Sequence, residues 1–366
     1  MEETQTRDDR RKLVVKCGAN KLIELGAAPL ALNFLTAAEF ADALAQQGSH
    51  LLGVAAFGAP HPLSRNADCP IINIDMSLVA AGSLFEVWSS AHPVQTIAHE
   101  TIRARCTDDI LFGCFEVTQP PTQTMQAMTY AAYTRLFDFL DAQGYPHLWL
   151  IWHYLPNING LDQGRERYHG FNVGRHEAFQ VKGRTIGDQQ VPAACALGSE
   201  GDTLSVYFIA GRAPGRAVEN PRQMSAYRYP PQYGPRSPTF ARAMLTQIGG
   251  AWQFFISGTA SIVGHASQHL NDMPAQTRET LLNVQTLLDQ ARNAGLDYQA
   301  DGARLYLKVY LHRPEALPEV RAQIRALLGD VDAVYLQADV CRNDLLLEIE
   351  GVCLTSTQWT PLSGKP

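Results

Sequence analysis

A glutamate set inside an apolar run is the position in this chain best suited to move a proton. Glu348 lies in Leu345-Leu346-Leu347-Glu348-Ile349-Glu350-Gly351, with Cys341 seven residues upstream across a turn, Arg342-Asn343-Asp344. The run is too short to cross a membrane and has the length of a buried strand. Burial disfavours a charged carboxyl, so Glu348 is expected to keep its proton near neutral pH and to be able to donate it. The same segment also fits an edge strand with Glu348 and Glu350 on one solvated face, because side chains alternate with a period of two. The second concentration of reactive side chains is 218–238, dense in Pro, Tyr and Arg, including Arg222, Arg228 and Tyr229. Arginine forks beside tyrosine hydroxyls suit the capture of a planar carboxylate. An inter-domain strap with packed tyrosines and solvated arginines is the other reading of that stretch. Its many aromatics argue for an ordered loop, not a flexible linker.

The elements that must hold these residues follow a simple order. A strand at 252–263 precedes a helix opened by Asp272-Met273-Pro274 and closed by Gly295. Alternating Leu305, Leu307, Val309 and Leu311 make a strand, a second helix follows Pro318, and strands near 331–340 and 345–354 end the unit. The same order runs earlier, through 109–117, 122–143, 147–155, 162–180, 191–199 and 203–211. A gapless overlay at an offset of 140 puts Glu348 on Phe208 and Cys341 on Gly201, so only the second copy carries the acid and the thiol. The expected division is residues 1–80 of uncertain fold, a first non-catalytic unit at 81–217, a substrate-binding connection at 218–250, and a second unit at 251–366. Gly258-Thr259-Ala260-Ser261 interrupts a strand with small residues, which suits a bulge or a ligand close to the backbone.

Composition narrows the class. The chain has 366 residues, with 30 Lys and Arg against 36 Asp and Glu. Without a basic run, nucleic acid and anionic membrane are poor partners. The polar N-terminus, Met1 to Arg11, has no apolar signal core and is expected to be a solvated tail. Seven scattered cysteines with no CxxC pair fit reduced thiols and a cytoplasmic protein. No GxGxxG, Walker A or GxSxG motif is present. His265 and His269, like His92 and His99, lack the neighbours that would complete a metal set. No metal or cofactor is expected.

Residues 252–354 resemble the YjgF-type reactive-intermediate deaminase fold through Phe255-Ile256-Ser257-Gly258, Ala275-Gln276-Thr277-Arg278, Leu282-Asn283-Val284 and Leu347-Glu348-Ile349-Glu350. That family has an arginine at the start of its penultimate strand, where this chain has Val331-Asp332-Ala333-Val334. The resemblance implies an α+β fold of two tandem YjgF/RidA-like units, each a mixed sheet with helices on one face, beside an N-terminal α/β region and around a pseudo-trimer-like core.

A narrower resemblance is carried by Gly174-Arg175, Val218-Glu219-Asn220-Pro221-Arg222-Gln223, Ser225-Ala226-Tyr227, Gln232-Tyr233-Gly234-Pro235, Ser257 to His265 and Ala338-Asp339-Val340-Cys341-Arg342. These motifs are similar to the chorismatase family, whose members cleave the enolpyruvyl ether of chorismate and release pyruvate. The resemblance implies that Glu348 donates a proton to the ether's methylene carbon. It implies that Cys341 directs the product, and that Gly258 matches the type making 3-hydroxybenzoate. Tyr168, Arg175, Arg222, Tyr229, Gly258 and Thr259 are the expected substrate contacts, with Arg228 as a rival to Arg222. Hydrolysis to a dihydroxycyclohexadiene carboxylate, a mixture with 4-hydroxybenzoate, and a non-catalytic YjgF-like binding module are the alternatives. The protein is expected to act on a small molecule as a monomer or weak oligomer.

Overall fold

Three sheets form where runs of β-branched and aromatic residues alternate with amphipathic helical stripes. In the computed structural model, residues 28–59, 61–65, 69–79, 82–120, 122–187 and 190–356 are described. The expected tail at Met1 to Arg11 lies outside them.

The N-terminal sheet holds β1 (Ala31–Leu35), β2 (Leu51–Gly58), β3 (Ile71–Ile74) and β4 (Ser83–Ser89), with α1 (Ala37–Gln47) between β1 and β2. Thr36 and Glu39 close a capping box at the start of α1, satisfying two amide donors that the helix leaves open. The second sheet holds β5 (Gln95–Ile97), β6 (Arg103–Cys106), β7 (Ile110–Thr118), β8 (His147–Pro156), β11 (Ala193–Ser199) and β12 (Thr203–Gly211). Helix α2 (Met125–Gln143) follows β7. A hairpin of β9 (Leu161–Asp162) and β10 (Arg165–Glu166) leads into α3 (Arg167–Val181). The third sheet holds β13 (Arg216–Val218), β14 (Ala243–Ile248), β15 (Ala251–Thr259), β18 (Ala303–Leu311), β19 (Asp332–Gln337) and β20 (Leu347–Thr355). The small ribbon of β16 (Ile262–Val263) and β17 (Ala266–Ser267) precedes α4 (Met273–Asn293), and α5 (Leu317–Leu328) joins β18 to β19. Asp272 caps α4 by accepting from Ala275, and Pro274 sits in its first turn, as the sequence predicts.

The sheets share one topology. The second runs β11-β8-β12-β7-β6-β5, and the third, read from its other edge, runs β19-β18-β20-β15-β14-β13. The N-terminal sheet repeats the first four places as β3-β2-β4-β1. Each has one parallel pair in the same place, β2 with β3, β8 with β11, and β18 with β19. The N-terminal region is thus a shorter copy of the same pattern. Its sheet extends to Ser89, past the boundary expected at residue 80, because β4 pairs with β1 and β2.

Register also revises the overlay of the copies. Tyr154 pairs with Ser205 and Tyr310 with Glu348, so the counterpart of Glu348 is Ser205 rather than Phe208. An odd slip sends a side chain to the opposite face of a strand. Phe208 indeed packs toward α2 and α3, whereas Tyr207 faces the centre. The 338–346 connection holding Cys341 is much longer than its equivalent at 200–202, so overlaying Cys341 on Gly201 has no structural basis.

Helices α2 and α3 cover the outer face of the second sheet, and α4 and α5 that of the third. The inner faces meet in one core containing Phe57, Trp88, Trp152, Tyr154, Tyr207 and Tyr310. Among the described residues, no helix is long and apolar enough to cross a membrane. The described cysteines, 69, 106, 114, 195, 341 and 353, are free thiols.

Candidate active site

Glu348 stands on β20, an interior strand between β15 and β18. The edge-strand reading fails for that reason. Glu348 and Glu350 do share a face, as the period of two requires. That face looks into the protein, and the two residues are 4% and 3% exposed. Burial raises the pKa of Glu348 to about 8, the charge of Glu350 adds to the rise, and Arg242 opposes it. The carboxyl is mostly protonated at pH 7, the form that donates.

The neighbouring strand makes room for this carboxyl. Ile256 pairs with Gly351 but Thr259 with Ile349, so the ladder bulges at Ser257-Gly258. A Cβ built on Gly258 would lie 1.9 Å from Glu348 Oε1. Only a residue without a side chain permits that approach. The bulge is pinned from three sides. Ser257 N donates to Arg242 O at 3.0 Å, Ser257 Oγ donates to Ala241 O at 2.6 Å, and Ala194 N donates to Ser257 Oγ at 2.9 Å. Thr259 Oγ1 donates to Ser257 O at 2.8 Å, so its hydroxyl stitches the bulge itself.

Cys341 is held by both flanking units. Asn159 Nδ2 donates to Val340 O at 3.0 Å and Gly198 N to Asp339 O at 2.8 Å. On the other side Gln276 of α4 donates to Asp344 O and accepts from Leu346 N, each at 2.8 Å. Burial pushes the thiol of Cys341 up to about 12, with Glu348 adding to the rise and Arg342 and the Tyr168 hydroxyl opposing it. At neutral pH it is a thiol, too weakly ionised to act as a nucleophile.

Helix α3 brings Tyr168, Asn172 and Arg175 to one face, at the helical spacing i, i+4, i+7. Close packing against α2 depends on Gly174, where a Cβ would lie 2.2 Å from Gln126 O. Arg175 is 2% exposed, its guanidinium lies 5.2 Å from the Tyr133 ring centre, and its Nε and Nη2 have no hydrogen-bond partner. Buried donors without acceptors mark a place for an anion. Burial pushes the Tyr168 hydroxyl well up, so Tyr168 stays a neutral donor. Behind Arg175, the Tyr133 hydroxyl meets His153 Nε2 at 2.5 Å and His153 Nδ1 donates to Cys195 O at 2.7 Å. Burial, then the charge of Arg175, keeps His153 neutral.

The strap between the units is ordered, but its arginines divide differently from expectation. Arg222 donates to Glu279 Oε1 at 2.5 Å and to Asn283 Oδ1 at 2.7 Å, which ties the strap to α4. Arg228 is exposed, with its guanidinium 5.7 Å from the Tyr227 ring centre. Arg242 and Arg342, which sequence reasoning passed over, join Arg175 at the site. Arg242 is 3% exposed, donates to Tyr229 Oη and to Met224 O at 2.7 Å each, and keeps Nε without a partner. Arg342 stacks 3.9 Å from the Tyr233 ring centre and 5.1 Å from that of Tyr229, donates to His265 O, and has a buried Nη2 without a partner. The available signal was position: Arg242 abuts the apolar strand 243–248, and Arg342 directly follows Cys341.

The site therefore lies between the second and third sheets. Its neutral acid and thiol are ringed by Arg175, Arg242 and Arg342 and by the hydroxyls of Tyr168 and Tyr229. Such a set can bind a small dianion and deliver one proton to it in a place of low dielectric. A surface hollow of about 580 Å³ along α2, lined by His99, Tyr130 and Arg135 among others, contains none of these residues.

Residues 86–210 match the family model described as "Chorismatase FkbO/Hyg5-like, N-terminal". A 3-hydroxybenzoate synthase of Streptomyces hygroscopicus is 37% identical over 297 residues, covering 78% of this chain and 86% of the relative. A chorismatase of Streptomyces rapamycinicus is 36% identical over 312 residues, covering 82% of this chain and 92% of the relative. A solved chorismatase crystal structure superposes with a TM-score of 0.79 at 31% identity, covering 89% of this chain and 98% of that one.

Proposed function

The chain belongs to the chorismatase family of enzymes acting on chorismate, and from that premise we propose that it converts chorismate to 3-hydroxybenzoate and pyruvate. The observation that carries this reading is the neutral, buried Glu348 beside Gly258 and Cys341. Glu348 gives its proton to the methylene carbon of the enolpyruvyl group. The positive charge that develops is shared with the ether oxygen, which weakens the bond from that oxygen to the ring. Pyruvate leaves with the ether oxygen, the ring hydroxyl takes the vacated carbon, and a ring proton departs as the ring becomes aromatic. The two products together contain the atoms of chorismate, so no water is consumed and the proton used at the methylene is recovered.

Arg175, Arg242 and Arg342 supply the charge that two substrate carboxylates need in a pocket otherwise poor in solvent. Tyr168 and Tyr229 orient the substrate by hydrogen bonds. Carbon protonation is slow, so holding the methylene against the acid contributes position as well as driving force. Cys341 is a neutral and weakly hydrogen-bonding group, and beside the cleaved bond it favours displacement by the ring hydroxyl over addition of water.

Incubation with chorismate and chromatographic separation of the products tests this reading. Equal amounts of pyruvate and 3-hydroxybenzoate are expected. Pyruvate accompanied by a dihydroxycyclohexadiene carboxylate would overturn the assignment of Cys341, and a 4-hydroxybenzoate fraction would show that displacement is loosely directed.

A further inference from the structure

One buried ionic cluster is not used by the mechanism above. At the centre of the three sheets, Lys308 Nζ lies 2.7 Å from Glu86 Oε2 and 2.6 Å from Glu350 Oε1. Glu86, Tyr207 and Glu350 occupy the same register in the three sheets, opposite Ala55, Trp152 and Lys308 respectively. Each carboxylate is wrapped in donors. Trp88 Nε1 and the Tyr207 hydroxyl donate to Glu86 at 2.8 Å and 3.0 Å. Trp152 Nε1 and the Tyr310 hydroxyl donate to Glu350 Oε1 at 2.8 Å and 3.1 Å. Glu350 Oε2 is buried with no hydrogen-bond partner.

We propose that Glu350, anchored by Lys308 and through it to Glu86 of the N-terminal sheet, is a positioning residue that keeps Glu348 in its proton-bearing form. The inference rests on Glu348 being the proton donor. Glu350 stands two residues from Glu348 on the same face of β20, within about 7 Å along the strand, close enough for a like charge to oppose ionisation in a dry interior. The other groups facing Glu348 pull in both directions. Arg242 favours its ionisation, while Cys195 on β11, Cys341 on its connection, Tyr168 on α3 and Tyr310 across β18 are neutral at pH 7. Glu350 is the one carboxylate among them paired with an ammonium, Lys308 Nζ at 2.6 Å. Lys308 is the counter-ion that lets a carboxylate persist there at all, and Glu86 offsets part of its positive charge so that this charge does not reach Glu348. On this account the N-terminal sheet, which holds none of the site residues named above, takes part in the reaction through Glu86.

The test is the pH profile of kcat/KM for Glu350→Gln against wild type, with circular dichroism to verify folding. The alkaline limb should move down by about one pH unit, so that the loss relative to wild type is about tenfold greater at pH 9 than at pH 6. A folded Glu350→Gln with an unmoved limb, or a loss uniform in pH, overturns the proposal. Glu86→Gln should move the limb the same way by less, and an unmoved limb there removes the N-terminal sheet from the account. Infrared difference spectra of wild type against Glu348→Gln read the protonation of Glu348 without turnover. A protonated carboxyl band lost in that variant at pH 7 is expected, and its absence defeats the proposal even if the Glu350 and Glu86 variants do not fold. Should Glu348→Gln remain active, the acid assignment falls instead, and a shift of the Glu348 carboxyl band between wild type and Glu350→Gln still decides whether Glu350 holds its proton.

Discussion

At the scale of single residues, the proposed chemistry turns on a carboxyl kept neutral by its surroundings. Glu348→Gln preserves shape and removes the proton, so pyruvate release should fall by about 10² to 10⁴-fold with the fold left intact, as circular dichroism would show. In the proposed mechanism the active form of Glu348 is the protonated one, and its pKa is raised to about 8. kcat/KM should therefore hold on the acid side and decline as pH rises through about 8, which a pH-rate series checks. Gly258→Ala places a methyl group where Glu348 Oε1 now lies, 1.9 Å from the new carbon. The carboxyl end can swing away, so the expected result is a folded protein with slower chorismate loss and a changed product ratio, read by chromatography. Cys341→Ala should alter the product ratio more than the rate of chorismate loss, since the thiol is not the proton donor. Glu348, Cys341, Gly258, Tyr168, Arg175 and Tyr229 stand out as candidates in the sequence because their types or motifs are distinctive. Arg242 does not, because an arginine at a loop end looks the same whether it reaches solvent or a buried tyrosine.

At the scale of elements, the site depends on a helix that presents polar groups along a stripe normally apolar. Tyr168, Asn172 and Arg175 serve this role only if α3 lies hard against α2, and Gly174 sets that distance. Gly174→Ala drives a methyl group into the Gln126 carbonyl, which is backbone and cannot swing aside. The expected cost is about 1 to 3 kcal/mol, visible as a lower denaturation midpoint, with a raised KM as Arg175 shifts. The sequential order of elements was legible from periodicity and caps, and most helix bounds to within a few residues; the stretch near 162–180 read as a helix instead opens with the β9–β10 hairpin, and α3 starts at Arg167. The register between the copies was not legible, because a gapless overlay cannot see that the connection carrying Cys341 is longer in one unit than in the other.

At the scale of the whole molecule, three copies of one pattern turn their inner faces together and leave a charged cluster at the centre. Burying Lys308, Glu86 and Glu350 costs several kcal/mol per ion, which their mutual attraction and the tryptophan and tyrosine donors must offset. Removing one partner is therefore worse than never having had the set. Burial works against the charge on Lys308, but Glu350 and Glu86 outweigh it and raise its pKa. Its contribution is present at all pH values below the unfolded pKa and constant across pH 5 to 9. Burial raises the pKa of Glu86 above its ordinary value. Once Lys308 is gone, the unfolded chain ionises first, and stability should fall as pH rises. Lys308→Met is expected to lose about 3 to 5 kcal/mol at pH 8 and markedly less at pH 5.5, measured by urea denaturation at both values.

The sequence by itself determined the α+β class, the repeated order of elements, the two-residue period that puts Glu348 and Glu350 on one face, and the motifs of the family. Each is local, set by side-chain periodicity, caps and residue types within a short span. Only the tertiary structure decided that this face is interior. It also decided that Ser205 and not Phe208 is the counterpart of Glu348, that Arg222 is bound to Glu279 while Arg242 reaches the acid, and that the N-terminal sheet completes the core. These depend on which sheet packs against which. A carboxyl two residues from another behaves differently in water and in a dry centre, and the dielectric around it is set by residues hundreds of positions away in the chain.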